Sequence, residues 1–109
     1  MSHMKKLEKE IERYLKREIE KLGGLLLKFV SPGNDGVPDR IAIMPDGRVW
    51  FIEFKTEGGD LRPLQAYWAV TLLDRNQRVT AIRGMDEARA FVVLLQGVLP
   101  DDVEGGDGR

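Results

Sequence analysis

Apolar residues near the start of the chain recur at intervals of three and four positions, which is the spacing of one face of an α-helix. The pattern predicts a helix over residues 5–22, and Gly23-Gly24 provides the signal that ends it. The apolar positions of this face are Leu7, Ile11, Leu15, Ile19 and Leu22. We therefore expect one side of this first helix to pack on the rest of the protein.

Short apolar runs separated by turn residues follow, and two further helical patterns lie among them. The predicted elements are a strand at 25–30, a loop at 31–38, strands at 39–44 and 48–55, a helix at 61–76, a strand at 78–83 and a helix at 85–96. The order is αβββαβα. No internal repeat or linker interrupts it, so the 109 residues are expected to form one α/β domain.

The composition of the chain excludes several classes of catalytic site and a membrane span. The chain has no cysteine, which excludes disulfides and thiolate catalysis. Its one histidine is His3, within an opening MSHM that resembles the scar left by removal of a purification tag, so histidine catalysis is also excluded. No run approaches the ~20 apolar residues of a membrane span, and the charged start lacks the apolar stretch of a signal peptide. We expect a cytoplasmic protein without a membrane partner.

The formal net charge of −1 hides an asymmetry along the chain. The segment 101–109 carries four acids and one arginine, which leaves sixteen basic and fourteen acidic side chains in residues 1–100. Its glycines and near absence of apolar residues predict a flexible acidic tail, which we assign to 99–109. The remaining body is mildly basic, which permits DNA binding without requiring it.

The turn between the two central strands decides which side chains meet. If Pro45-Asp46-Gly47 forms a three-residue hairpin loop, with Gly47 in the left-handed conformation, Asp39 lies directly opposite Glu53 and Lys55 projects from the same face. A loop of two or four residues would place the two acids on different faces. The glycine at the third loop position favours the first register.

Two facing carboxylates beside an ammonium group allow two interpretations. Lys55 can simply neutralise one acid at the surface, which contributes ~0–1 kcal/mol. Alternatively, the repulsion between Asp39 and Glu53 is relieved by a hard divalent cation, which binds through one or two carboxylates and the phosphate oxygens of a substrate. The second interpretation describes a site that cleaves phosphodiester bonds.

These residues also carry a family resemblance. The residues PD at 38–39 and EFK at 53–55 resemble the PD-(D/E)XK nuclease signature. The segments KFVSPGNDGVPDRIAI, FIEFKTEGG and RPLQ resemble the virus-type replication-repair nuclease (VRR-NUC) family, over roughly residues 8 to 96. The resemblance implies a restriction-endonuclease-like αβββαβ(α) core, with a central mixed four-stranded sheet flanked by helices, and it assigns the nuclease domain to residues 4–98, after a tag scar at 1–3.

The resemblance further implies a metal-dependent nuclease site. Asp39 and Glu53 would bind Mg²⁺ or Mn²⁺ together with the backbone carbonyl of Phe54. Lys55 would orient or deprotonate the attacking water, and Gln65 matches a glutamine that the family places beside the active site. No nucleotide cofactor is implied.

An acid from the first helix usually completes the site of this superfamily, and the sequence offers two choices. Glu12 and Glu8 lie one turn apart beside the apolar face. We select Glu12, because it lies eleven residues before Gly23, the spacing expected from related junction resolvases. Glu8 is the alternate.

DNA contacts are expected from cations that follow the phosphate backbone, and the candidates are Lys28, Arg40, Arg48 and Arg62. No aromatic platform for stacking a base is expected, because the larger aromatic side chains fall at predicted core positions. These are Trp50, Phe51, Phe54, Tyr67 and Trp68.

The leading expectation is a phage-type DNA repair nuclease, acting in a bacterial or phage-infected cytoplasm on branched DNA. We expect a Holliday-junction resolvase that works as a homodimer. The candidates for the dimer interface are segment 91–95 and the face of Trp50, Ile52 and Phe54, and each of these can equally belong to the core. The alternatives are a flap or nicking endonuclease and a catalytically silent DNA-binding domain of the same fold.

Overall fold

A computed structural model describes residues 2–97 of the protein, with side chains from residue 8 onward. The tail predicted at 99–109 lies outside the described residues. The elements are α1 (Ser2–Lys21), β1 (Leu25–Lys28), β2 (Arg40–Ile43), β3 (Val49–Lys55), α2 (Pro63–Leu73), β4 (Arg78–Arg83) and α3 (Gly84–Gln96). The predicted order αβββαβα is confirmed, although α1 begins earlier than expected and β1, β2 and α2 are shorter.

Helices α1 and α2 are each followed by a residue that adopts positive φ and turns the chain out of the helix. Gly23, with φ of 85°, turns the chain out of α1, and the amide of Gly24 donates to the carbonyl of Ile19 at 2.9 Å. Asn76, with φ of 63°, performs the same role after α2. This turn is why α2 stops at Leu73 rather than at the predicted position 76.

The four strands form one mixed sheet in the order β1-β2-β3-β4. Strands β1 and β2 pair antiparallel across the loop at 29–39, and β2 and β3 pair antiparallel across a tight hairpin turn. β4 pairs parallel with β3, since α2 carries the chain back across the sheet between them. The predicted central mixed four-stranded sheet is confirmed.

Helices α1 and α3 cover one face of the sheet, and the main core lies between them and the even-numbered strand residues. The buried apolar side chains are Ile11, Leu15, Ile19, Leu26, Ala42, Met44, Ile52, Ile82, Ala88, Phe91, Val92 and Leu95, with Trp50 and Phe54 packed against them. Of the two roles that the sequence allowed for the face of Trp50, Ile52 and Phe54, dimer interface or core, the structure shows the core, because this face contacts the helices. The segment 91–95 is likewise mostly core, and within it only Val93 and Leu94 are exposed.

Helix α2 packs on the opposite face, mainly over β4, and leaves the β1 side of that face open. Leu25 and Leu27 of β1 are about half exposed there. On α2 itself, Tyr67 retains 58% of its surface. The expectation that Tyr67 is a core residue is therefore wrong, because α2 buries only the side that faces β4.

Among the described residues, no helix combines the length and apolarity needed to cross a bilayer.

Candidate active site

The hairpin between β2 and β3 has the register that brings the two acids together. Gly47 adopts φ of 93°, and the amide of Met44 donates to the carbonyl of Arg48 at 2.8 Å across the three-residue loop. The ladder then pairs Arg40 with Ile52, so the next position places Asp39 opposite Glu53. The predicted register is confirmed, because the glycine allows the loop to close after three residues.

The two carboxylates differ in their access to solvent. Glu53 keeps only 9% of its surface, since α2 and Pro38 cover it. The side chain of Asp39 is 50% exposed, because the β2 ladder begins one residue later, at Arg40. Lys55, two positions beyond Glu53 on the same face, is half-buried. The site thus has a buried acid, a more accessible acid and an ammonium group at one end of the hairpin.

Burial and mutual repulsion shift the titration of both acids. Burial, followed by the neighbouring Asp39 carboxylate, raises the pKa of Glu53 to about 7, although Lys55, Arg62 and Arg40 oppose the shift. Burial also raises the pKa of Asp39, against the opposing charge of Arg40. Without a metal ion, the pair therefore carries less than two full negative charges near neutral pH.

One oxygen of the pair has no partner. Oδ1 of Asp39 is buried and makes no hydrogen bond within the described part of the chain. A buried carboxylate oxygen without a donor is costly, and a hard divalent cation is a partner that it would accept. The residues present therefore fit Mg²⁺ or Mn²⁺, which prefer carboxylate oxygens.

The backbone next to Glu53 offers a further oxygen. Ladder alternation directs the carbonyl of Phe54 towards the β2 side, because the pairs Met44/Arg48 and Arg40/Ile52 are hydrogen-bonded pairs. The position opposite Phe54 is Pro38, which has no amide hydrogen to donate. This carbonyl consequently lacks its ladder donor and lies at the same end of the hairpin as the acids.

Gln65 lies beside the acid pair. It is buried in the first turn of α2, and it lines a cavity of about 170 Å³ together with Glu53 and Pro38. Its Oε1 accepts a hydrogen bond from the amide of Arg62 at 2.9 Å, which caps the helix and holds the side chain in place. The structure therefore brings Gln65 next to Glu53, as the family resemblance implied.

The two acids of α1 both border the site. Glu8 and Glu12 line a cleft of about 290 Å³ that also includes Asp39, Arg40 and Phe54. Glu12 is already bonded, because its Oε2 accepts from Nε of Arg40 at 2.6 Å. Within the part of the chain that the structure describes, no three acidic or histidine side chains are close enough to hold one metal ion. The carboxylates that the geometry could offer to a metal ion are thus a pair, Asp39 and Glu53.

The four cations expected to contact DNA have different surroundings. Lys28 and Arg62 are exposed, at the end of β1 and the start of α2. The side chain of Arg40 is only 14% exposed and is bonded to Glu12. Arg48 lies at the opposite end of the hairpin, where it pairs with Asp46 at 2.7 Å. The structure therefore brings Lys28 and Arg62, but not Arg48, to the end of the sheet that carries the acids.

Sequence reasoning missed how the loop before Pro38 is held. The indole N–H of Trp68 donates to the carbonyl of Asp35 at 3.0 Å. Gly36 has φ of 92°, and a Cβ at this position would lie 2.7 Å from the backbone of Leu64. The loop is therefore pressed against the start of α2, and the only local sign in the sequence is the glycine at position 36.

Comparison with known proteins finds a protein named as a putative nuclease and a solved VRR_NUC domain. The protein named "Putative nuclease p44" from Acyrthosiphon pisum secondary endosymbiont phage 1 is 38% identical over 79 residues, which cover 72% of this chain and 85% of that protein. A solved structure described as a VRR_NUC domain matches with a TM-score of 0.74 at 29% identity, covering 78% of this chain and 92% of the other. No protein-family model matches the chain. Sequence and fold together assign this chain to the VRR-NUC family of nucleases.

Proposed function

We propose that this VRR-NUC nuclease is an endonuclease that requires Mg²⁺ or Mn²⁺ and hydrolyses phosphodiester bonds in branched DNA. The observation that carries the proposal is the facing pair Asp39 and Glu53, with an unpartnered buried oxygen on Asp39 and an ammonium group on the same face. An acid pair that only stabilised the surface would not need one member buried with a pKa near 7.

Each residue has a task that its position supports. Asp39, Glu53 and the Phe54 carbonyl would hold the metal ion, which when bound supplies Lewis acidity and lowers the pKa of water. Lys55 would orient the attacking water or take its proton, and its charge would offset negative charge that develops on the phosphate. Gln65 would fix the position of Glu53 from the α2 side. Lys28 and Arg62, exposed at the same end of the sheet as the acids, would bind DNA phosphates.

We further propose a four-way junction as the substrate and a homodimer as the active form. One chain supplies one acid pair, whereas resolving a junction needs two cuts, and a two-fold symmetric substrate suits a two-fold symmetric protein. The open apolar side of the sheet at Leu25 and Leu27, which α2 does not cover, supports self-association. A flap or nicking endonuclease is the alternative, and a monomer would favour it.

The metal site is tested by neutralising each acid in turn. We expect Asp39→Asn and Glu53→Gln to abolish cleavage while the metal-free protein unfolds at the same or a higher temperature, because each change removes like-charge repulsion. Glu20→Gln is the matched control, since Glu20 is an exposed acid of α1 that pairs with Lys16. The substrates are labelled junction, flap, nicked, duplex and single-stranded DNA, each with Mg²⁺ and with Mn²⁺.

Replacing Mg²⁺ or Mn²⁺ with Ca²⁺ provides a second test of the metal site. We expect Ca²⁺ to support DNA binding without cleavage, because its looser coordination positions water poorly. Strong Mg²⁺-dependent cleavage by purified Asp39→Asn would contradict the metal assignment. A wild-type protein that binds DNA but cuts none of the substrates would instead favour the catalytically silent domain.

A further inference from the structure

Arg40 makes a set of contacts that a DNA-binding side chain would not need. Its Nε donates to Oε2 of Glu12 at 2.6 Å, and its Nη1 donates to the backbone carbonyl of Asp39 at 3.0 Å. The same Nη1 lies 3.5 Å from Oδ2 of Asp39, and the guanidinium carbon lies 6.0 Å from the centre of the Phe54 ring. The guanidinium is thus held by a helix, by its own strand and by the neighbouring strand.

The two acids that Arg40 joins lie on different faces of the sheet. Strand alternation places Arg40 and Phe54 on the face covered by α1, whereas Asp39 and Glu53 belong to the opposite face. Glu12 therefore approaches the sheet from the side away from Glu53. Arg40 is the described side chain that contacts both Glu12 and Asp39.

The contacts of Asp39 are divided between its two oxygens. Oδ2 faces the guanidinium, while Oδ1 is buried without a partner. The ion pair at Oδ2, together with the hydrogen bond from the same Nη1 to the Asp39 carbonyl, favours one orientation of the carboxylate and therefore one direction for Oδ1. A fork of planar donors can hold a backbone carbonyl and a carboxylate together, which a lysine ammonium does less well.

We propose that Arg40 is a positioning residue for the metal ligand Asp39, and that Glu12 acts on the site through Arg40. This inference rests on the proposed metal-dependent function. Arg40 holds Oδ2 and the main chain of Asp39, which leaves Oδ1 directed at the metal position. Glu12 holds Arg40 and neutralises its charge, so the bound cation is not repelled by an unpaired guanidinium.

The inference replaces the expectation that Arg40 binds a DNA phosphate. Phosphate binding would require Nε or the Nη groups to leave Glu12 and Asp39, and only 14% of the side chain is exposed. Phosphate binding and positioning of Asp39 also predict different experimental results. A phosphate contact affects the salt dependence of DNA binding, whereas a positioning residue affects the metal ion and the rate of cleavage.

The test measures Mn²⁺ binding without DNA, by the loss of the free-Mn²⁺ electron paramagnetic resonance signal, together with single-turnover cleavage. For Arg40→Met, we expect Mn²⁺ to bind about three- to tenfold more tightly, because a positive charge is lost and Glu12 is left unneutralised. Cleavage should nevertheless slow by about 10²-fold or more, because Asp39 is no longer held. A misfolded variant would not bind Mn²⁺ more tightly than wild type, so tighter binding with slower cleavage would not reflect loss of the fold.

Further variants separate the effect of the charge of Arg40 from the effect of its planar donor geometry. Arg40→Lys keeps the charge but loses the fork, so Mn²⁺ affinity should stay within about threefold of wild type while cleavage remains slow. Glu12→Gln leaves Arg40 unneutralised and should weaken Mn²⁺ binding about three- to tenfold. The double variant Glu12→Gln, Arg40→Met restores the balance of charge, so its Mn²⁺ affinity should return close to wild type.

Arg48→Met is the matched control for Mn²⁺ affinity, because Arg48 is equally buried and paired with a carboxylate, at the far end of the hairpin. Its Mn²⁺ affinity should equal that of wild type. Thermal unfolding in EDTA establishes that each variant is folded.

DNA binding in Ca²⁺ at several salt concentrations completes the test. We expect the salt slope of Arg40→Met to equal that of wild type. Unchanged Mn²⁺ affinity with a slope reduced by about one would show a phosphate contact and overturn the inference. A double variant as weak for Mn²⁺ as Glu12→Gln would also overturn it, because Glu12 would then contact the ion directly. If wild type neither binds Mn²⁺ nor cleaves, the proposed function itself has failed.

Discussion

At the scale of single residues, the surroundings of Glu53 make an ordinary glutamate into a group that titrates near neutral pH. Burial under α2 and repulsion by Asp39 raise its pKa from 4.5 to about 7. A metal ion must displace the proton that Glu53 retains below this pH. Metal affinity is therefore expected to fall by about tenfold for each pH unit below 7, because one proton is released for each ion bound.

The same shift predicts a pH dependence of stability. Between pH 4.5 and 7, native Glu53 holds a proton that the unfolded chain has lost, so the free energy of unfolding of the metal-free protein should decrease as the pH rises. Glu53→Gln removes this contribution. Thermal unfolding in EDTA should therefore show that the stability gain of Glu53→Gln over wild type is larger at pH 8 than at pH 5. An equal gain at both pH values would contradict the raised pKa.

The acids of α1 are separated by a second prediction at this scale. We expect Glu12→Gln to lower single-turnover cleavage by about 10²-fold or more and Glu8→Gln to lower it only mildly, because Glu12 holds Arg40 at 2.6 Å and Glu8 only borders the cleft. Both changes remove one charge from the same helix, so each controls for the other. The reverse ranking would show that Glu8, one helical turn before Glu12, is the acid that serves the site.

At the scale of elements, the loop from 31 to 38 determines how α2 presents Gln65 and Arg62 to the acid pair. Two glycines of this loop have positive φ but different neighbours. A Cβ on Gly36 would lie 2.7 Å from the backbone of Leu64, whereas a Cβ on Gly33 would have nothing within 4 Å. Comparing Gly36 with Gly33 therefore separates the effect of close packing from the effect of backbone conformation alone.

This difference predicts unequal effects of two matched substitutions. Gly33→Ala should cost about 1 kcal/mol of stability, from the left-handed backbone only. Gly36→Ala should cost about 2–4 kcal/mol and slow cleavage, because the start of α2 must move away from the loop. Urea denaturation measures the first effect and single-turnover cleavage the second. Equal costs for the two variants would show that the loop does not press against α2 in solution.

At the scale of the whole molecule, the layers are unequal. Two helices cover one face of the sheet, and a single helix covers the β4 side of the other, so Leu25 and Leu27 of β1 remain exposed. Joining two copies through this face would bury apolar surface that a monomer leaves in water. The proposed dimer therefore has a specific interface, which differs from the two candidates predicted from the sequence.

A charge placed on this face tests the dimer. We expect wild type to sediment as a dimer at micromolar concentration and to cut a four-way junction at two symmetry-related positions. Leu27→Glu should yield monomers that no longer make paired cuts, because the charge cannot be buried at the interface. Val93→Glu is the control, since Val93 is an exposed valine of α3 on the other side of the sheet. A wild-type monomer that trims flaps and leaves junctions intact would favour the flap nuclease.

Local patterns in the sequence determined the order of elements, the buried face of α1 and the register of the hairpin. These features depend on neighbours within a few positions: helical spacing, a glycine pair, and a three-residue loop that ends in Gly47. The alignment of Asp39 with Glu53 is a consequence of that loop, because one turn sets every pair along two strands. The family resemblance pointed to the same residues and to the nuclease fold.

Only the tertiary structure decided the surroundings of those residues. Arg40 reads in the sequence as a free cation, but packing of α1 brings it to Glu12, 28 positions earlier in the chain. Tyr67 reads as a core residue, but α2 turns it outward. The burial that raises the pKa of Glu53 likewise comes from α2, which begins ten residues later. Charge pairing and burial depend on which distant elements pack together, and periodicity along one segment carries no information about its partner.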